Sequence, residues 1–129
     1  MKNEKLKKDE KADKDWVGKP IFPRVYISGP ITGIEGYKQI FDKADLYLSL
    51  KGYKTVNPAQ LDNVISEGEY EEYMDICLRL IDMCEFVILL PGWEKSAGAN
   101  REYGYALGKG KTVISLDDIE IIHGDKKRE

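Results

Sequence analysis

Phe86-Val-Ile-Leu-Leu90, then Pro91-Gly-Trp-Glu-Lys-Ser-Ala-Gly-Ala-Asn-Arg-Glu-Tyr-Gly-Tyr-Ala-Leu-Gly108, then Thr112-Val-Ile114, is the stretch that decides the fold. A short apolar run bounded by turn residues reads as a buried strand. Pro91 and Gly92 end it, Gly98–Gly108 reads as a short helix, and the chain returns to β-branched residues over Thr112–Ser115. The order strand, glycine-containing turn, helix, strand is the building unit of a parallel sheet. It also places a carboxylate, Glu102, in what reads as the first turn of the helix, where an acid is ordinarily a good helix residue stabilised by the dipole.

The same alternation extends toward the N-terminus. Arg24-Val-Tyr-Ile-Ser28 predicts a strand ending at Gly29. Tyr37–Lys51 carries Ile40, Phe41, Ala44, Tyr47 and Leu48 at helical spacing and is stopped by Gly52. Tyr53–Val56 predicts a second strand, closed by Asn57-Pro58. Over Glu69–Cys84, Tyr70, Tyr73, Met74, Cys77, Leu78, Ile81 and Cys84 fall on one face of a second amphipathic helix. The tail Ile119-Glu-Ile-Ile122 reads as either a fifth strand or a packing arm. The expected fold is a small doubly wound, flavodoxin-like α/β domain, with a parallel sheet of four to five strands and helices on both faces. Its first and third strands would be neighbours, so a ligand would bind beyond their carboxyl ends, between Gly29–Gly36 and Pro91–Glu102.

Composition narrows the partners. The chain has 129 residues and a net charge of −3, which fits one domain and argues against a dedicated grip on nucleic-acid polymer. Residues 1–23 read as a charged tail and linker, disordered over Met1–Asp15 with its six lysines and five acids. Residues 24–129 read as the folded domain. No apolar run approaches the roughly 20 residues of a membrane span, and no secretory h-region is present. Cys77 and Cys84 lie about two helical turns apart, roughly 10 Å, which is too far for a disulfide. They read as reduced core thiols, which suits a cytoplasmic setting. With His123 as the sole histidine, no zinc set is expected, and no cofactor is implied.

Ser28-Gly-Pro-Ile-Thr-Gly-Ile-Glu-Gly36 is neither a dinucleotide fingerprint nor a Walker loop. Glycines ahead of a helix still let backbone amides approach an anion, although a tight turn with no ligand explains them equally well. Asp75 and Asp82 are the acids of the helix before the third strand. Asp82 stands at the C-terminal end, where the dipole disfavours a carboxylate, and is expected to bond backbone amides there. Asp75 is flanked by Met74, Cys77 and Leu78. Two carboxylates meeting over one cleft are what glycosidic-bond chemistry needs, one acting on the anomeric carbon and the other on the leaving group.

Tyr26-Ile-Ser-Gly-Pro-Ile-Thr-Gly33, Asp75 and Ser96-Ala-Gly-Ala-Asn-Arg-Glu102-Tyr-Gly-Tyr-Ala-Leu-Gly together resemble the nucleoside 2-deoxyribosyltransferase superfamily. Within it the chain is most similar to small phage and bacterial members and to the 2′-deoxynucleoside 5′-monophosphate N-glycosidases. The resemblance covers about Arg24–Leu116. It implies Glu102 as the nucleophile on C1′, Asp75 as the residue assisting the base, and Tyr26 in contact with the glutamate and sugar. It implies a 5′-phosphate held by Ser96 and by the first loop, so that Ser28, Gly29, Pro30, Ile31, Gly33, Ser96 and Gly98 are the expected substrate-binding residues. Where the transferases have an aspartate near Ser96 this chain has none, which favours phosphorylated substrates. Where the monophosphate hydrolases carry a loop arginine, this chain has Ile31, Thr32 and Gly33, leaving Arg101, Lys95 or a helix N-terminus to supply positive potential. Trp93-Glu94-Lys95 forms either a base-stacking wall or a packed turn.

The expected activity is therefore hydrolysis or transfer at the N-glycosidic bond of a nucleoside or nucleoside 5′-monophosphate. The alternative is a non-catalytic nucleotide-binding module on the same fold. The expected partners are that small molecule and a second copy of the chain, with Ile119–Ile122 as the candidate interface segment.

Overall fold

The computed structural model describes residues 23–63 and 69–128; of the tail and linker expected over residues 1–23, all but the last residue lie outside them. The chain runs β1 (Arg24–Ser28), α1 (Tyr37–Leu50), β2 (Lys54–Val56), a 3₁₀ segment (Pro58–Asn63), α2 (Tyr70–Asp82), β3 (Phe86–Leu89), a 3₁₀ turn (Trp93–Lys95), α3 (Ala97–Gly108), β4 (Thr112–Ser115) and α4 (Leu116–Ile122). All strand pairs are parallel and the sheet order is β2-β1-β3-β4. This is the small doubly wound α/β fold that the sequence predicts, with β1 and β3 adjacent at the centre.

The two faces of β1 feed two cores, because side chains alternate across a strand. Val25 and Ile27 join Ile88 and Leu90, Phe41, Ala44 and Leu48 of α1, and Ile119 of α4. Tyr26 joins Val87 and Leu89, Cys77 and Ile81 of α2, and Ala106 of α3. Both cysteines are buried thiols.

Helix starts follow local chemistry. The Glu69 carboxylate accepts from the N3 amide while Glu72 accepts from the Glu69 N–H at 2.9 Å, a capping box at the head of α2. Ser96 Oγ accepts from Ala99 N at 3.1 Å at the head of α3.

The tail departs from a fifth strand. Ser115 Oγ accepts from Asp118 N at 3.0 Å, and Asp117 and Asp118 occupy the first turn of α4. That cap and the favourable acid–dipole contact start a helix, and Ile119 packs into the core beneath it. The packing-arm reading is the one that stands, in helical form. His123 Nε2 pairs with the Tyr53 hydroxyl at 2.8 Å and tethers the end of α4 to the start of β2.

Candidate active site

The switch point between β1 and β3 opens into a cleft of about 920 Å³. The loop after β1 forms one side, with Gly29, Pro30 and Ile31, and the segment from Pro91 to Gly98 forms the other. Gly29 is required by space: a Cβ there would come within 2.9 Å of Leu90 Cβ. That approach lets the two loops diverge from adjacent strands, held where Leu90 N donates to Ser28 O at 2.8 Å.

Glu102 lines the cleft and is 6% exposed. Ala99, Glu102 and Ala106 are the buried residues of α3, spaced along the face it turns to the sheet. With Ser96 as cap and Ala97 as first residue, Glu102 falls in the second turn rather than the first. Dipole stabilisation fades beyond the first turn, so the ordinary explanation of an acid in this place does not apply.

Both carboxylate oxygens are held. The Tyr26 hydroxyl donates to Oε2 at 2.6 Å and the Ser28 hydroxyl to Oε1 at 2.7 Å. Tyr26 and Ser28 are two apart on β1, point to the same face, and are fully buried. Among the described residues no lysine or arginine forms an ion pair with Glu102. Burial pushes its carboxyl above the ordinary glutamate value, while hydrogen bonds from Tyr26, Ser28 and Cys77 pull the other way. Burial, and then the neighbouring Glu102, push the Tyr26 phenol well above its ordinary value. Burial likewise pushes the Cys77 thiol up to about 12. Both stay neutral at physiological pH and act on the carboxylate as donors.

The expected site residues separate into three groups. Gly29, Pro30, Ile31, Ser96, Gly98 and Glu102 meet at the cleft. Tyr26 and Ser28 stand behind Glu102 with no solvent exposure, so they touch the carboxylate and not a ligand. Asp75 and Gly33 do not line the cleft; Asp75 is exposed on α2. Tyr70, Tyr73 and Met74 give α2 its cleft-facing side, and Asp75 lies roughly 100° further round from Met74.

Three other expectations are also decided. Lys95 lines the cleft, whereas Arg101 is engaged elsewhere, bonded to Glu71 at 3.1 and 3.3 Å with its guanidinium 5.6 Å from the Tyr70 ring centroid. Trp93 is a packed turn, its ring 4.9 Å from that of Tyr103, and is not a wall of the cleft. Asp82 accepts from the Tyr105 hydroxyl at 2.8 Å rather than from backbone amides. That bond, and then the Lys109 and Lys111 charges, hold its carboxyl below the usual range and offset the unfavourable helix end.

Sequence reasoning missed the apolar walls, Tyr37, Ile40 and Phe41 of α1 and Tyr70, Tyr73 and Met74 of α2. They sit on the same helical stripes that fill the core, so spacing alone marks them only as buried. Among the described residues, no group of three or more His, Cys, Asp or Glu side chains could hold a metal ion. No helix there is long and apolar enough to cross a membrane.

Residues 23–115 match the family described as a domain of unknown function, DUF4406, and the chain belongs to that family. No curated protein matches it.

Proposed function

We propose that this member of the DUF4406 family cleaves or transfers the N-glycosidic bond of a nucleoside or nucleoside 5′-monophosphate, with Glu102 as nucleophile. One observation carries the reading: a buried carboxylate with no cationic partner among the described residues faces a cleft, and hydroxyl donors hold both its oxygens. A buried charge kept without an ion pair costs stability, and such costs concentrate at functional sites. The similarity of the Tyr26, Ser96 and Glu102 segments to the deoxyribosyltransferase superfamily supplies the substrate class.

In the first step a Glu102 oxygen bonds to C1′. The C1′–N bond breaks, its electron pair goes to the base nitrogen, and that nitrogen takes a proton from water in the open cleft. In the second step a water oxygen bonds to C1′ and the ester C–O bond breaks. Glu102 regains its negative charge and the water proton is released; another base in place of water gives transfer. Tyr26 and Ser28 orient the carboxylate throughout. A 5′-phosphate would sit at the head of α3, near the Ser96 cap and the Lys95 ammonium, where helix amides favour an anion. Asp75 has no part in this route, because it stands outside the cleft.

Exposed Ile34, Ile40 and Tyr70 give the cleft an apolar rim, which a second copy of the chain would cover. Sedimentation of a strictly monomeric, active protein would remove that element of the proposal.

The deciding experiment incubates the protein with ribo- and deoxyribonucleosides and their 5′-monophosphates and measures free base by chromatography. Release by the wild type and not by Glu102→Ala is expected; equal release from both would take Glu102 out of the mechanism.

A second reading, a nucleotide-binding module without turnover, is favoured by one observation. Among the described residues Glu102 is the sole acid lining the cleft, whereas glycosidic chemistry ordinarily uses two carboxylates. A nucleotide that raises Tm and survives long incubation intact would select it.

A further inference from the structure

We propose that Ser28 is a positioning residue that keeps Glu102 ionised and fixes which way its carboxylate points, and that it contacts no ligand itself. The role of this carboxylate in catalysis rests on the glycosidase reading; its control by Ser28 does not.

Strand geometry carries the first part of the case. Tyr26 and Ser28 occupy alternate positions of β1, so both reach the α3 side of the sheet while Val25 and Ile27 fill the opposite core. A serine in the last position of a central strand is fully buried here, where an apolar residue would be expected. Its hydroxyl has a partner at short distance, Glu102 Oε1 at 2.7 Å. The backbone on which it stands is fixed twice over. Leu90 N donates to Ser28 O at 2.8 Å, and the next residue must be glycine to pass Leu90. The hydroxyl therefore has little freedom to follow a displaced carboxylate, and it acts as a fixed stop.

Two hydroxyls, one on each oxygen, define the carboxylate plane in a way that neither does alone. The Ser28 donor counts the more because, among the described residues, no lysine or arginine pairs with Glu102. The groups facing the carboxylate are the Tyr26 phenol from β1 and the Cys77 thiol from α2. Around the same cleft stand the Tyr70 and Tyr73 phenols of α2, the Tyr37 phenol of α1, and Lys95 on the 3₁₀ turn. Lys95 is exposed, so solvent screens it. Neutral donors are thus what offsets the desolvation of the charge. Removing a hydrogen bond to a buried charged group shifts its ionisation by about one to two pH units.

The experiment follows the carbon-13 carboxyl signal of Glu102 against pH in the full chain labelled at glutamate, with Glu102→Gln assigning the signal. Ser28→Ala is expected to raise the midpoint by about one to two pH units, and Ser28→Cys, a weak thiol donor, by less. Ser28→Ala removes one oxygen from a strand whose backbone pairing is unchanged, so a folded protein is expected, and the spread of the amide spectrum checks it. An unchanged midpoint in a folded Ser28→Ala variant would overturn the proposal. Where base release is measurable, the acidic limb of the kcat/KM profile should move up with the midpoint, and the fall relative to wild type should exceed tenfold below that limb. A fall in kcat/KM equal at every pH would show that Ser28 supports packing and not ionisation. If the wild type releases no base, the glycosidase reading fails while the titration still decides the role of Ser28.

Discussion

The two faces of one sheet in this molecule are built to different rules. On the α1 and α4 side, Val25, Ile27, Phe41, Ala44, Leu48, Ile88, Leu90 and Ile119 form a core with no buried charge among the described residues. On the α2 and α3 side Tyr26, Ser28 and Cys77, three polar or ionisable groups, surround the Glu102 carboxylate. Strand β1 belongs to both, residue by residue. The first face gains stability from area removed from water, at about 25 cal/mol per Å² of apolar surface. The second gives part of that up, because it removes a charge from water and returns only neutral hydrogen bonds. In this molecule the loss falls beside the cleft that Glu102 lines.

The sharpest way to break this contrast is to alter each face in turn. On the polar face, Glu102→Ala is expected to lower base release by on the order of 10³-fold or more, the loss typical of deleting a nucleophile, while Tm stays at or above that of the wild type. On the apolar face, Ile27→Ala removes a fully buried side chain and is expected to cost about 2–5 kcal/mol. That corresponds to a drop in Tm of about 10 °C or more, with kcat/KM measured well below Tm near that of the wild type. Thermal melts and product assays on the two variants check both arms. A Glu102→Ala protein destabilised as much as Ile27→Ala would make the polar face a structural network, and the contrast would collapse.

A pH series sharpens the same comparison. The folded state raises the Glu102 carboxyl above its ordinary value because burial outweighs the hydrogen bonds. The native protein therefore holds that proton more tightly than the unfolded chain does. Its contribution favours the fold below about pH 4, the unfolded glutamate range, and is lost as pH rises through the raised native value. Glu102→Gln has no such proton. The difference in Tm between Glu102→Gln and wild type should grow upward from about pH 4 and then level off. A difference flat across that range would mean that Glu102 titrates as an exposed glutamate does.

The sequence made the fold legible because period, turn residues and strand order all point one way. Four strands and three helices stand within one or two residues of where apolar spacing and glycines put them. The tail was harder: Ile119-Glu-Ile-Ile122 has the composition of a strand, and its helical signal is the Ser115-to-Asp118 cap just outside it. Glu102 was legible from its place after the third strand. It stands in the second turn whether the helix is counted from Ala97, behind the Ser96 cap, or from Gly98. Asp75 does not line the cleft, since side-chain direction on α2 is set by which stripe meets the sheet, and that stripe runs through Met74 and Cys77. Ser28 reads as the last residue of the first strand and, by the resemblance, as a substrate-binding residue. Counting alternation from Tyr26 would have put it on the carboxylate side.

The smallest expected effect separates two roles at the head of α3. Ser96 caps the helix through Ala99 N and also lines the cleft. Ser96→Ala removes the cap and is expected to cost about 1 kcal/mol, a Tm shift of a few degrees. Ser96→Asp keeps a capping oxygen, so stability should stay within a few tenths of a kcal/mol of wild type, roughly the spread among good caps. The added carboxylate would sit where a 5′-phosphate is proposed to bind, and like charges at contact repel. Ser96→Asp should therefore weaken a nucleoside 5′-monophosphate and leave the matching nucleoside nearly unaffected, a difference readable as ligand-induced shifts in Tm. Equal weakening of both would place the phosphate away from α3 and leave Ser96 as a cap alone, which would make the head of this helix part of the scaffold and confine the chemistry to Glu102 and the hydroxyls behind it.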